Sequence, residues 1–185
     1  VILEKAVSLL EGALEVFTSD AYPQERSKIL QKLGDAQLAI HSEKQGIPLA
    51  RGYYLAAITE VKNKGYSNRE QNACVHLGEF EFELGNWDEA YKALRDAISI
   101  NDQRLDDSFT DSGSKRVTSD FRDIYDIAAY CLIMLNRYDE AIVAMENGRT
   151  RLLRRSMFSI SNSDDHTNKL IKMRNEILEL EREYS

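Results

Sequence analysis

A chain of 185 residues, 43% apolar and 30% charged, has the length of about one ordinary domain and the composition of a folding sequence, which excludes disordered and fibrous classes. Nine glycines and two prolines give too few turn signals for an all-β sandwich or barrel, and Cys74 and Cys131 are too few for a disulfide scaffold or a structural zinc site. A formal charge of -7 argues against a polyanion-binding protein unless a local basic patch overrides it, and no apolar run suits a membrane span or signal peptide. An all-α protein of a reducing, cytoplasmic compartment is expected.

In chain order, Leu3, Ala6, Leu9, Leu10, Ala13 and Val16 recur at the three-and-four spacing of one helical face. They predict the second helix of an incomplete hairpin near 1–17, and a start at Val1 inside a helical pattern reads as a piece of a longer protein. Pro23, whose missing amide hydrogen costs nothing in a first turn, begins a helix that runs to about Ser42, and Pro48 is expected to begin its partner in the same way. That hairpin spans about 23–64. Ser67 with Glu70, and less perfectly Asn86 with Glu89, have capping-box spacing and mark the helix starts of a second hairpin near 68–101. Asn101 to Arg116, rich in Asp, Ser and Gly, predicts a surface loop pinned by Leu105 and Phe109. A third hairpin follows near 117–157 and ends the array at about 158. Residues 159–185 then comprise a polar link and a helix whose stripe of Leu170, Met173, Ile177, Leu180 and Tyr184 is expected to cap the array.

The chain also repeats itself. A shift of about 44 residues superposes Ala6 on Ala50, Ala13 on Ala57, Tyr22 on Tyr66, Leu33 on Leu77 and Gly34 on Gly78. Further registers run from Cys74 through Leu77, Gly78, Gly85, Trp87, Ala90 and Leu94 to Ala97, and from Tyr125 through Ala128, Ala129, Asn136, Tyr138, Ala141 and Met145 to Gly148. Each reads as helix, tight turn, helix. Gly34, Gly78 and Ala129 mark close helix approach, and Trp87 and Tyr138 open second helices, packing back across the turn.

Leu77-Gly78 through Gly85-Asn86-Trp87-Asp88-Glu89-Ala90 to Ala97, and Asn136-Arg137-Tyr138-Asp139-Glu140-Ala141, resemble tetratricopeptide (TPR) repeats. Departures are the missing proline after each second helix, an aromatic displaced to Phe80 or Phe82, and an insertion around Glu43 to Gly46. The longer spacing resembles the TPR variant ahead of CHAT domains, which are caspase-like proteases, and the run Glu146 to Leu153 is similar to the helix that closes such arrays. The resemblance implies a right-handed superhelical solenoid of helical hairpins acting as a protein-interaction scaffold, here the regulatory or sensing module of a CHAT-type protease. It further implies a concave groove lined by the first helices, which by offset places Lys28, Gln31, Asp35 and Leu38, then Asn72, Val75, Glu79 and Phe82, then Asp123, Asp126, Tyr130 and Ile133 against a partner peptide or helix. The lysine and asparagine set of chaperone-binding members is not matched, since Gln31, Asp35, Val75 and Glu79 stand at those offsets.

Other chemistry finds little support. Arg149, Arg151, Arg154 and Arg155 form the densest basic cluster; as phosphate contacts they would make a nucleic-acid-associated subunit, the alternative class, whereas near a helix end they complement its dipole. His76, Glu79 and Glu83 recur at one-turn spacing without completing a metal set, and neither Cys74 nor Cys131 has a histidine partner. No phosphate-cradling glycine loop occurs. The expectation is a scaffold with no enzymatic activity, no cofactor and no metal in this segment.

Overall fold

The computed structural model describes residues 2–62, 64–110 and 122–161, and the side chains of 104–110, 122–123 and 151–161 lie outside that description. Seven helices occur among the described residues and no strand: α1 (Ile2–Val16), α2 (Pro23–Ile40), α3 (Glu43–Val61), α4 (Ser67–Glu83), α5 (Trp87–Thr110), α6 (Arg122–Met134) and α7 (Tyr138–Ser161). They pair as hairpins α2–α3, α4–α5 and α6–α7, with α1 against α2. Successive hairpins meet through α3 on α4 and α5 on α6. The capping helix expected within 159–185 lies, beyond Ser161, outside the described residues.

Identical chemistry closes two of the hairpin turns. Gly85 has φ +74° and donates to the Phe82 carbonyl, while Asn86 donates to that of Glu81; Asn136 has φ +59° and donates to Ile133, while Arg137 donates to Leu132. Both are left-handed caps with paired bonds back into the last turn, which glycine and asparagine alone adopt without much cost. Trp87 and Tyr138 then open α5 and α7.

Small residues set the helix spacing inside the hairpins. A Cβ on Gly34 would lie 2.7 Å from the Tyr54 ring, and one on Gly78 would lie 2.6 Å from Leu94 Cγ. Gly148 is similarly close to Tyr125. Ala50, Tyr54, Leu77, Phe80 and Ala93 form one core cluster across the first two hairpins; Leu94, Ile124 and Ala128 form another across the last two. Apolar clusters thus lie at both junctions between hairpins.

Buried polar groups tie the elements together. Arg26 on α2 donates to the Leu14 and Phe17 carbonyls at the end of α1 and, at 2.8 Å, to Glu60 on α3, which also accepts from Ser19. Glu81 is only 3% exposed. It receives both guanidinium branches of Arg51 from the preceding hairpin and, at 2.7 Å, the Asn86 amide. Burial alone would raise the Glu60 and Glu81 pKa values, but these donors outweigh it and hold both carboxyls below their ordinary range.

Several local expectations are corrected. α3 starts at Glu43 after Ser42, so Pro48 sits inside the helix rather than opening it. The supposed insertion is the first turn of α3, where a Cβ on Gly46 would lie 3.1 Å from the Gln37 carbonyl oxygen of α2. Neither capping box forms as expected: α4 is capped at Tyr66 without a side-chain bond, and at α5 the Asn86 backbone N–H donates to the Glu81 carbonyl while the Glu89 carboxylate accepts from Lys92. Residues 101–110 are helix, not loop, because α5 continues through Asn101, which is buried, to Thr110. No glycine or proline interrupts that stretch, so polar composition alone does not end the helix. Residues 111–116 of the expected loop lie outside the described residues. The apolar face of α1 holds no buried residue, and Leu9 and Val16 are exposed.

Gly78→Ala is expected to destabilise by about 1–3 kcal/mol through overpacking against Leu94, whereas Gly52→Ala, with open space around it, should be neutral or stabilising by up to about 1 kcal/mol, both read by urea denaturation. Because Glu60 and Glu81 have depressed folded-state pKa values, their contribution is present above the unfolded carboxylate pKa and disappears as pH falls through the folded value. A Glu81→Gln variant should be less stable than wild type at neutral pH, with the difference shrinking below about pH 4 in thermal melts.

Candidate protein-binding surface

Short turns make neighbouring helices antiparallel, so the first helices α2, α4 and α6 all run in one direction. α2 touches α4 and α4 touches α6, whereas among the described residues α3, α5 and α7 make no such contacts with one another. The first helices are therefore the set in mutual contact along the stack, and their free faces line one side of it as a wall.

The repeat register arranges side chains on that wall in rows. Leu38, Phe82 and Ile133 occupy equivalent positions one helix apart; Leu38 and Ile133 are exposed and Phe82 is half-buried. One turn earlier lie Asp35, Glu79 and Tyr130, and one turn earlier again Val75 and Asp126. Glu79 and Asp126 are exposed, Asp35 and Val75 half-buried. Gln31 is a departure: it is buried, 3.5 Å from Ser27, whose hydroxyl donates to the Ala57 carbonyl, so it packs the first hairpin rather than lining the wall. Lys28 is exposed at the rim of a shallow cleft of about 270 Å³ between α1 and α2, and Asn72 is exposed on α4. The Asp123 side chain lies outside the described residues.

Phe82 and Tyr130 are not independent anchors. With Trp87 they form a three-way edge-to-face cluster, the ring centroids 5.4, 5.5 and 5.7 Å apart, which joins the second hairpin to the third. Tyr130 is still 46% exposed, so the cluster presents a rigid aromatic surface beside Ile133. Trp87 belongs to this surface although sequence spacing assigned it only to the turn; its offset from Phe82 across a tight turn was the available signal.

Electrostatics fixes the neighbouring row. Tyr54 donates to Asp35 at 2.8 Å and Lys32 approaches the same carboxylate at 2.9 Å. Burial opposes ionisation of Asp35, but these bonds, with His76 nearby, hold its pKa below the ordinary value. Burial and the same bond push the Tyr54 phenol up. Asp35 is thus a fixed negative charge.

The other candidate groups are not assembled into a site. Among the described residues no group of His, Cys, Asp and Glu could hold a metal ion, so His76, Glu79 and Glu83 form no such cluster. Arg149 pairs with Glu146 at 2.9 Å on the exposed face of α7; the side chains of Arg151, Arg154 and Arg155 lie outside the described residues. A cleft of about 350 Å³ between α5 and α7, lined by Tyr91, Arg95, Tyr125, Asp139, Glu140 and Asn147 among others, carries both charge signs. No described helix is long and apolar enough to cross a membrane.

No protein-family model and no curated protein sequence matches this chain. The fold is similar to that in the crystal structure of BtubC (BKLC) from P. vanneervenii, with a TM-score of 0.60 and 14% identity over 84% of this chain and 57% of that one. The chain thus spans little more than half the length of that protein. The likeness is one of fold: sequential helical hairpins of the TPR-like kind.

Burial pushes the Cys74 thiol up to about 12 and the Cys131 thiol up to about 11. Neither should react with a thiol reagent at pH 8 in the native protein, and both should react once it is unfolded, as measured by absorbance of the released chromophore.

Proposed function

We propose that this chain is a non-enzymatic protein-interaction scaffold, a right-handed superhelical TPR-like array whose inner wall receives an amphipathic, basic segment of a partner protein. The observation that carries the reading is the pairing of rows on α2, α4 and α6: Leu38, Phe82 and Ile133 beside Asp35, Glu79 and, one turn away, Asp126. Apolar side chains of the partner cover the first row and lysines or arginines face the second, in keeping with the overall charge of -7. The first helices are held by core packing and by Glu81 and Glu60, so the wall is preformed and the partner bears most of the ordering cost. The finer form of the proposal places the scaffold in the cytoplasm beside a CHAT-type protease domain, with partner docking on the wall as the controlling event; the 44-residue offset of the first two hairpins supports it.

Fluorescence anisotropy with two labelled amphipathic peptides, matched in length and apolar content but one Lys-rich and one Glu-rich, tests the reading. The Lys-rich peptide should bind, and Ile133→Asp should weaken it about tenfold while leaving the melting temperature unchanged, since Ile133 is 43% exposed. Equal binding of both peptides, or indifference to Ile133→Asp, would overturn it. Binding that follows the loss of Arg149, Arg151, Arg154 and Arg155 instead, with a steep salt dependence toward a DNA or RNA duplex, would establish the nucleic-acid alternative.

A further inference from the structure

The first turns of α5 and α7 are copies of one another: Trp87-Asp88-Glu89-Ala90 recurs as Tyr138-Asp139-Glu140-Ala141. Both acids are kept, but the residue that balances them is not. In α5, Lys92 approaches Asp88 at 2.6 Å and Glu89 at 2.9 Å, so one ammonium serves both carboxylates. The equivalent residue of α7 is Val143, which is 58% exposed. Glu140 is held instead by the guanidinium fork of Arg137, at 2.7 and 2.5 Å, and among the described residues no cation pairs with Asp139. This lone carboxylate stands at the cleft of about 350 Å³ between α5 and α7, a volume in the range of ligand sites. Tyr91 and Ile98 on one side, Val143 and Ala144 on the other, and Tyr125 and Ala128 of α6 give the cleft an apolar lining. The charged neighbours are already matched, Arg95 with Asp96 and Arg137 with Glu140, so the charge left over is that of Asp139.

We propose that this cleft receives a lysine side chain of a partner protein, whose ammonium takes at Asp139 the place that Lys92 takes at Asp88 and Glu89. The loss of the lysine from the repeat leaves both halves of such a site: a carboxylate with no counter-charge, and an apolar side chain, Val143, where the lysine stem would have stood. The incoming stem lies along Val143 and Tyr91, and an apolar residue next to the lysine covers the lining beyond them. An exposed ion pair contributes little alone, so the apolar contact supplies most of the affinity and Asp139 supplies the choice of charge. No residue of the row formed by Leu38, Phe82 and Ile133 lines this cleft, so the site is distinct from the wall of first helices and does not rest on the function proposed for it.

Two-dimensional NMR of the full chain, titrated with acetyl-Leu-Lys-Leu-amide and with the same peptide carrying acetyl-lysine, tests this. The lysine peptide should shift the backbone amides of Tyr91 to Ile98 and of Asp139 to Asn147, and the acetylated peptide should bind about fivefold more weakly. Asp139→Asn should weaken the lysine peptide to the level of the acetylated one. Val143→Lys, which restores the α5 arrangement at an exposed position, should abolish the shifts and raise the melting temperature. Ile133→Asp, on the wall of first helices, should leave the titration unchanged. The proposal is overturned by an absence of shifts in α5 and α7, by equal binding of the two peptides, or by Asp139→Asn and Val143→Lys variants that bind as the wild type does. Loss of these shifts in the Ile133→Asp variant would move the peptide to the wall and overturn it as well.

Discussion

A helical hairpin can bury one side of each of its helices within itself and must find cover for the rest, and every larger feature of this chain follows from that constraint. Gly34 and Gly78 let the two helices of a hairpin come close enough to share Tyr54 and Leu94. The remaining apolar arc of each second helix is then closed by the next hairpin, so Ala50 and Tyr54 end up in one cluster with Leu77 and Phe80. Stability is therefore local and sequential. A change at one junction acts on the two hairpins that share it, and the geometry of the wall depends on each junction in turn.

Polar chemistry at the junctions supplies register that apolar packing alone lacks. Glu81 would be costly to bury unpaired, yet it can be satisfied only if Arg51 arrives from the preceding hairpin and Asn86 from its own turn. Sliding one hairpin along its neighbour would leave the carboxylate without its fork, whereas a purely aliphatic contact would tolerate the shift. Glu60 does the same at the first junction, where Arg26 also closes the end of α1 by donating to two of its carbonyls. The two networks are not equivalent by repeat offset, so each junction carries its own key.

What the sequence made legible was whatever repeats. Small residues, turn glycine or asparagine and helix-opening aromatics recur at fixed offsets, and they located the hairpins of α2 to α7 and the close contacts at Gly34 and Gly78. Boundaries were legible only where a single residue type forces them. Pro48 misled because a proline can also sit in the second turn of a helix, where it sacrifices only one backbone hydrogen bond. Asn101 to Thr110 misled because polar composition resembles a loop, while a helix already nucleated by Trp87 to Ala97 extends through residues that contain no breaker. The capping box at Asn86 misled because its reciprocal groups are used elsewhere, the Asn86 N–H by the Glu81 carbonyl that closes the turn and the Glu89 carboxylate by Lys92.

The same distinction separates the parts of the inner wall. Periodicity places Leu38, Phe82 and Ile133 in one row because a row is a repeat property, but it cannot report that Gln31 turns inward to Ser27 or that Phe82, Trp87 and Tyr130 join into one aromatic unit. Under the proposed function that unit matters for recognition. Three rings held edge to face have already lost their rotamer freedom, so a partner that packs on Tyr130 and Ile133 meets a surface whose ordering cost was met in folding. An isolated exposed tyrosine would offer the same area and bind less well. Because the cluster spans α4, α5 and α6, it also couples the wall to the junction beneath it: any segment seated on Tyr130 bears on the contact between the second and third hairpins.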